Sequence, residues 1–263
     1  MTQAIPIRWP RRYNLMGVEV SATDYQETVD RLVEAAHAHY PAVVSFQAAH
    51  AVVCASRDKQ LQQRVNSFDI VTADGHAVRW ALNWLHNTGM RDRVYGPESM
   101  LRVCERATAE ALPIYLYGGP SQAALDTLIE RLREKFPAIQ IAGAESPPFR
   151  PLTEQEDAAV VQRINDSGAR FVFIGLGCPK QDHFAYEHRE RIQAVQLNVG
   201  AAFDFHAETK KMAPPWMQRN GLEWLFRACS EPRRLGMRYL TTNSIFICKF
   251  VRQWLTQTIG FPP

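Results

Sequence analysis

Short apolar runs alternate along this chain with segments whose apolar positions recur every three or four residues. Ala42-Val43-Val44-Ser45-Phe46, Phe171 to Gly177 and Val195 to Gly200 are near-continuous apolar runs, the pattern of strands buried on both faces. Leu15 to Val20, Ile70-Val71, Pro113 to Tyr117 and Ile139 to Ala142 add shorter strands. Between them lie helical patterns. Val29, Leu32, Val33 and Ala36 share one face behind an N-cap at Thr23, and a polar helix runs from Asp58 to Asn66. Ala77, Val78, Ala81, Leu82 and Leu85 make another apolar face. Further helices are expected from Pro97 to about Ala111, Ser121 to Phe136, Thr153 to near Gly168, and after Asp182. Strand and helix alternate throughout, which predicts an α/β fold with a largely parallel sheet and helices on both faces.

The pattern changes from Pro214. No strand-like run follows, only helix-like patches rich in Trp, Arg and Leu. From Phe246 to Leu255 the apolar positions pair at 246/247, 250/251 and 254/255, with Lys249 and Arg252 off that face. Such a helix fits a membrane interface or packing on the domain or on another subunit, giving a homo-oligomer. The formal net charge of +3 conceals an asymmetry: residues 1–204 hold 21 Lys/Arg against 24 Asp/Glu, and residues 205–263 hold 9 against 3. A basic tail on a near-neutral body points to an anionic partner. A Rossmann-like α/β domain over residues 1–205 and a helical basic appendage over 206–263 are therefore expected. No run approaches the ~20 apolar residues of a membrane span. No signal peptide is visible, and five dispersed cysteines suit a reduced cytoplasmic setting better than a disulfide framework or a zinc site.

The residues at the expected strand ends are polar and mostly uncharged: Ser45, Gln47 and His50; Thr72 and Asp74; Gly118, Gly119 and Ser121; Gly177, Lys180 and Gln181; and Asp204. Open α/β sheets bind ligands at such positions. Asp74, after Ile70-Val71 and before Gly75, reads as a general base or as the cap of the next helix. Tyr117-Gly118-Gly119-Pro120-Ser121 has the strand–glycine–helix order that holds a phosphate, without the full dinucleotide fingerprint; the glycines equally serve only to turn the chain. Gln181 reads as a ligand contact or as a brace for its loop, and Asp204 as a catalytic carboxylate or as a cap or brace for the turn before it. No Asp-x-Asp, HExxH, GxSxG or P-loop string occurs, so no metal site or cofactor is expected. A diphosphate leaving without a metal needs arginines to balance its charge.

Eight strings carry a resemblance, in order and spacing, over roughly residues 15–240: Thr72 to Gly75, Arg93 to Gly96, Tyr117 to Gly119, Gly175 to Asp182, Val199 to Phe205, Ala213 to Trp216, Gly221 to Arg227 and Glu231 to Leu235. The chain resembles the WecG/TagA/CpsF glycosyltransferases. That resemblance implies a transferase that moves a sugar (N-acetylmannosamine, its uronic acid or glucose) from a UDP donor. The acceptor is a polyprenyl-diphosphate-linked sugar at the cytoplasmic face of the membrane, in cell-surface polysaccharide or exopolysaccharide synthesis. It implies inversion at the anomeric centre without a metal, Asp74 as base, and Ser45, Gln47, His50, Arg93, Gly118, Gly119 and Gln181 at the substrates. Arg227, Arg233, Arg234 and Arg238 match an arginine-bearing appendage that closes over the site and meets the membrane. Two departures stand out: Gln47 replaces the family's usual Asn, and Lys211-Met212 precedes Ala213-Pro214 where the family has an Arg. The alternatives are a non-catalytic module that binds a nucleotide sugar or nucleic acid, and a Rossmann-type oxidoreductase. No nucleic-acid motif appears, and the incomplete glycine fingerprint argues against the oxidoreductase.

Overall fold

The computed structural model describes residues 7–259, except the side chains at 234, 235, 238 and 259. It opens with a hairpin, β1 (Arg12–Leu15) and β2 (Val18–Ser21), paired antiparallel with Leu15 opposite Val18. This corrects the single strand expected from Leu15 to Val20. Met16 and Gly17 sit at positive φ, 56° and 90°, and fold the apolar run back on itself. In α1 (Tyr25–His37) the N-cap is Asp24, not Thr23; its carboxylate accepts from the Glu27 amide, and Thr23 Oγ1 donates to Glu27 Oε2 at 2.9 Å instead.

Strand and helix then alternate: β3 (Val43–Gln47), α2 (Ala49–Ala55), α3 (Lys59–Asn66), β4 (Ile70–Ala73), α4 (His76–His86), α5 (Gly96–Ala109), β5 (Ile114–Gly118), α6 (Gln122–Lys135), β6 (Ile141–Glu145), α7 (Glu154–Asp166), β7 (Phe171–Gly175), α8 (Lys180–His188), β8 (Val195–Asn198) and α9 (Ala202–His206). The expected strand at Ile139 starts two residues later and lies at the sheet edge, partly exposed, while Ile139 itself packs into the core. Thr153 does open α7, where it forms a capping box with Glu156.

Six strands form one parallel sheet in the order β4-β3-β8-β7-β5-β6. The chain steps outward from β3 to β4, crosses to β5 on the other side, and later fills the gap with β7 and β8. Strand alternation sorts the core into two layers. Val44, Phe46, Ile70, Leu116, Phe171, Phe173 and Leu197 face α1, α5, α6 and α9. Val43, Val71, Tyr117, Val172 and Ile174 face α2, α3, α4, α7 and α8. Both faces are covered, which is why these strands read as continuous apolar runs.

The last segment comprises α10 (Pro215–Arg219), α11 (Glu223–Ser230), one π-helical turn (Pro232–Gly236) and α12 (Met237–Ile259). α12 lies along α2. Phe246 is buried in the second core layer with Ile245 and Phe250 beside it, whereas Ile247 and Val251 face outward. The paired apolar positions thus divide between the domain and the surface. Lys249 Nζ donates to the Ser56 carbonyl at 2.9 Å, and the Met16 amide donates to Gln253 Oε1 at 2.8 Å. No helix among the described residues is long and apolar enough to cross a membrane.

Candidate active site

β4 ends at Ala73, and the chain must turn before α4 begins at His76. Gly75, in extended conformation, holds the N-cap position, so Asp74 is not the cap. Its carboxylate turns instead to the loop before α5 and accepts from the Gly96 amide at 2.7 Å. The contact is packed at ordinary van der Waals spacing: a Cβ on Gly96 would lie 3.5 Å from the Val199 carbonyl oxygen and 3.6 Å from Asp74 Oδ1. Burial lifts the Asp74 carboxyl from the ordinary 3.8 to about 6, against the opposing pull of Arg93, the Gly96 hydrogen bond and Arg227 and with a further push from Glu223. A carboxylate with that proton affinity is suited to take a proton near neutral pH.

Arg93, Tyr95 and Glu223 form a buried cluster beside it. Arg93 Nη2 donates to Glu223 Oε2 at 2.8 Å, and the Tyr95 hydroxyl donates to Glu223 Oε1 at 2.7 Å. The Arg93 guanidinium lies 4.0 Å over the Tyr95 ring. His76 Nε2 donates to the Gln218 carbonyl at 2.8 Å, which leaves Nδ1 as the unprotonated nitrogen, and burial followed by Arg93 lowers its affinity for a second proton. Gly221, at φ +71°, packs so closely that a Cβ would meet the Trp80 ring at 2.8 Å. The segment from α10 to α11 is therefore seated directly on the Asp74 turn.

These residues open into one cleft of about 1690 Å³ along the carboxyl ends of the strands. That exceeds the ~300–1,000 Å³ of a typical small-molecule site and leaves space for two substrates. Asp74, His50, Arg93, Gly119, Gln181 and Arg227 line it, as do Tyr95, His76, Asn198 and Glu223. Ser45 and Gln47 lie beneath the lining, fully buried. Gln47 Nε2 donates to Ser45 Oγ at 2.7 Å, and Ser45 Oγ donates to Asp182 Oδ1 at 2.6 Å. Asn198 Nδ2 donates to the same oxygen at 3.0 Å. Gln181 bridges two loops, donating to the Asn198 carbonyl at 2.8 Å and accepting from the Gly177 amide at 3.1 Å. His50 Nδ1 lies 3.4 Å from Thr242 Oγ1 on α12. Gly118 sits behind the lining at φ +130°, where a Cβ would come within 2.6 Å of Gly175. The Gly119 amide is spent on the Gly175 carbonyl at 3.1 Å. Asp204 lines the cleft but is ion-paired to Lys210.

A family description reading glycosyl transferase WecG/TagA/CpsF family matches residues 13–260. The chain belongs to the WecG/TagA/CpsF family. It is a glycosyltransferase of cell-surface polysaccharide synthesis, and the family suggests a nucleotide-sugar donor and a lipid-linked acceptor. Three of the strings that carry the WecG/TagA/CpsF resemblance meet at one point: Asp74 from the first, Arg93, Tyr95 and Gly96 from the second, and Glu223 and Arg227 from the seventh. In the string from Glu231 to Leu235 the described side chains lie outside the cleft lining. Arg233 is exposed and outside the cleft lining, and the side chains of Arg234 and Arg238 fall outside the described residues. Sequence reasoning missed Tyr95, His76 and Glu223. Glu223 did carry a signal, as one of only three acidic residues between 205 and 263 in an otherwise basic tail.

Proposed function

We propose that this protein transfers a hexose-type sugar from a UDP donor to a polyprenyl-diphosphate-linked sugar, inverting the anomeric centre without a metal. The observation that supports this most is Asp74: a carboxylate raised to about 6, inside a cleft with room for donor and acceptor. Asp74 takes the proton of the acceptor hydroxyl as that oxygen bonds to the anomeric carbon. The bond from that carbon to the diphosphate breaks on the opposite side, and UDP leaves with the electron pair. Arg227 puts positive charge at the cleft wall where the diphosphate oxygens gain charge, and Arg93, paired with Glu223, lines the same cleft. The absence of any Asp-x-Asp string in the sequence supports a site that relies on side chains for this.

The segment from 206 to 263 acts, in this reading, as an appendage that completes the cleft and rests on the inner face of the cell membrane. Two features support it. Glu223 and Arg227 reach the cleft from α11. Met237, Leu240, Ile247, Val251, Trp216 and Trp224 are exposed apolar groups in a basic segment.

The decisive assay measures UDP release from a panel of UDP-sugars with a prenyl-diphosphate sugar as acceptor, in the presence of EDTA. Release from one donor in EDTA is the expected result. Donor binding without release would favour a non-catalytic module, and release only after a divalent cation is restored would remove metal independence. In the same assay Asp74→Asn is expected to lower kcat by ~10²–10⁴-fold, the usual worth of a general base, and near-normal turnover would remove Asp74 from the mechanism.

A further inference from the structure

Arg93 acts on two carboxylates, as the ion-pair partner of Glu223 and as a positive charge near Asp74. Asp74 lies on the turn after β4 and Glu223 at the start of α11, and among the described residues the ion pair of the guanidinium is with Glu223, at 2.8 Å. Asp74 is held by a neutral donor, the Gly96 amide. Residues 93–96 form a short strap whose Arg93 and Tyr95 side chains are fastened to Glu223 and whose last amide points at Asp74. Glu223 is buried, and both of its oxygens are used in these bonds.

We propose that Glu223 is a positioning residue that keeps Arg93 off Asp74, so that the C-terminal segment governs the charge of the group assigned above as the base. The inference rests on that assignment. The positive charge of Arg93 is felt at Asp74 as well as at Glu223, and the carboxylate that a guanidinium pairs with is stabilised in its charged form. An Arg93–Asp74 pair would turn Asp74 into a permanently ionised, weakly basic partner. With Glu223 in place Arg93 is spoken for twice, by its hydrogen bond and by its stacking on Tyr95. The remaining groups do not substitute for Glu223. Tyr25 of α1 and Tyr95 face Asp74 with hydroxyls whose proton loss is pushed up by burial, and Tyr25 accepts from the Tyr95 amide at 3.1 Å. His76 of α4 faces Arg93 and Asp92 as a neutral ring, and Arg227 of α11 brings only positive charge. Glu223 is thus the negative group of α11 acting on Asp74.

The test is a carboxyl titration of the full chain labelled with [¹³C]aspartate, followed by NMR, with the Asp74 signal identified by its loss in Asp74→Asn. Glu223→Gln is expected to move the Asp74 midpoint down by about one pH unit or more, because a negative neighbour is lost and Arg93 is freed to turn. Adding Arg93→Gln to that variant should bring the midpoint back up. Glu223→Asp, which retracts the carboxylate by one methylene and is the milder change should Glu223→Gln not fold, should move it down by a smaller step. A midpoint that stays or rises in both single Glu223 variants overturns the proposal. Turnover of Asp74→Asn is measured separately: near-normal activity would sink the base assignment while leaving the titration result in place, so the two failures are distinguishable.

Discussion

Asp74 holds its proton more tightly in the fold than in the unfolded chain, where its carboxyl titrates near 3.8. The sign of the linkage follows. Between about pH 4 and 6 the folded state binds more protons, so the stability contribution of Asp74 falls as pH rises through that window and stays low above it. Asp74→Asn is therefore expected to raise thermal stability at pH 7, by about 1–3 kcal/mol from a displacement of roughly two pH units, and to give no gain near pH 3.5. Melting curves at the two pH values check this. The ionised base is also needed for transfer, so kcat/KM should rise through about pH 6 and level off above it. A profile flat from pH 5 to 8 would contradict the role. The place of the carboxylate at a strand end was legible in the sequence, but the local pattern left base and helix cap open, and the base reading came from the family resemblance. Arg93 came with the resemblance, but its contact with Glu223 did not: the two are 130 residues apart in the chain, and no local periodicity reports a contact across that separation.

At the level of elements, strands buried on both faces were easy to read, since a continuous apolar run tolerates little else. Local turn chemistry was harder. Met16 and Gly17 reverse a run that looked like one strand, and Asp24 displaced Thr23 as a cap because its carboxylate reaches the Glu27 amide. The strand-end glycines show what such positions demand. Gly118 abuts Gly175, and a methyl group on Gly175 would in turn lie 2.6 Å from the Phe203 ring. Gly118→Ala is expected to destabilise by about 2–4 kcal/mol, from positive φ and overlap with backbone together, measurable as a lower denaturation midpoint. α12 offers a contrast between neighbours. Phe246→Ala should cost about 3–5 kcal/mol, as for other buried aromatics. Ile247→Lys should leave stability within about 0.5 kcal/mol, as expected of a surface position.

For the molecule as a whole, exposed apolar side chains collect on the basic C-terminal segment. If that surface meets lipid, the full chain should co-sediment with vesicles of anionic phospholipid, less so at high salt. Ile247→Lys combined with Val251→Lys should weaken binding, while Phe246→Ala should affect it only through stability. Equal sedimentation of the double variant would place the contact elsewhere. The position of the cleft at the strand ends followed from the α/β pattern, whereas the seating of α10 and α11 on the Asp74 turn depends on close packing at Gly221 and Trp80 that composition does not reveal.

The order of the residues along the chain gives that seating a consequence in time. During synthesis a chain that ends before residue 223 already contains every sheet strand and Asp74 but cannot contain the Arg93–Glu223 pair. Phe246, which covers part of the second core layer, emerges later still. Because chains fold from the amino end as they emerge, the site receives its final arrangement of charge only after every strand of the sheet has been made. A nascent or truncated chain carries the sheet without the finished site.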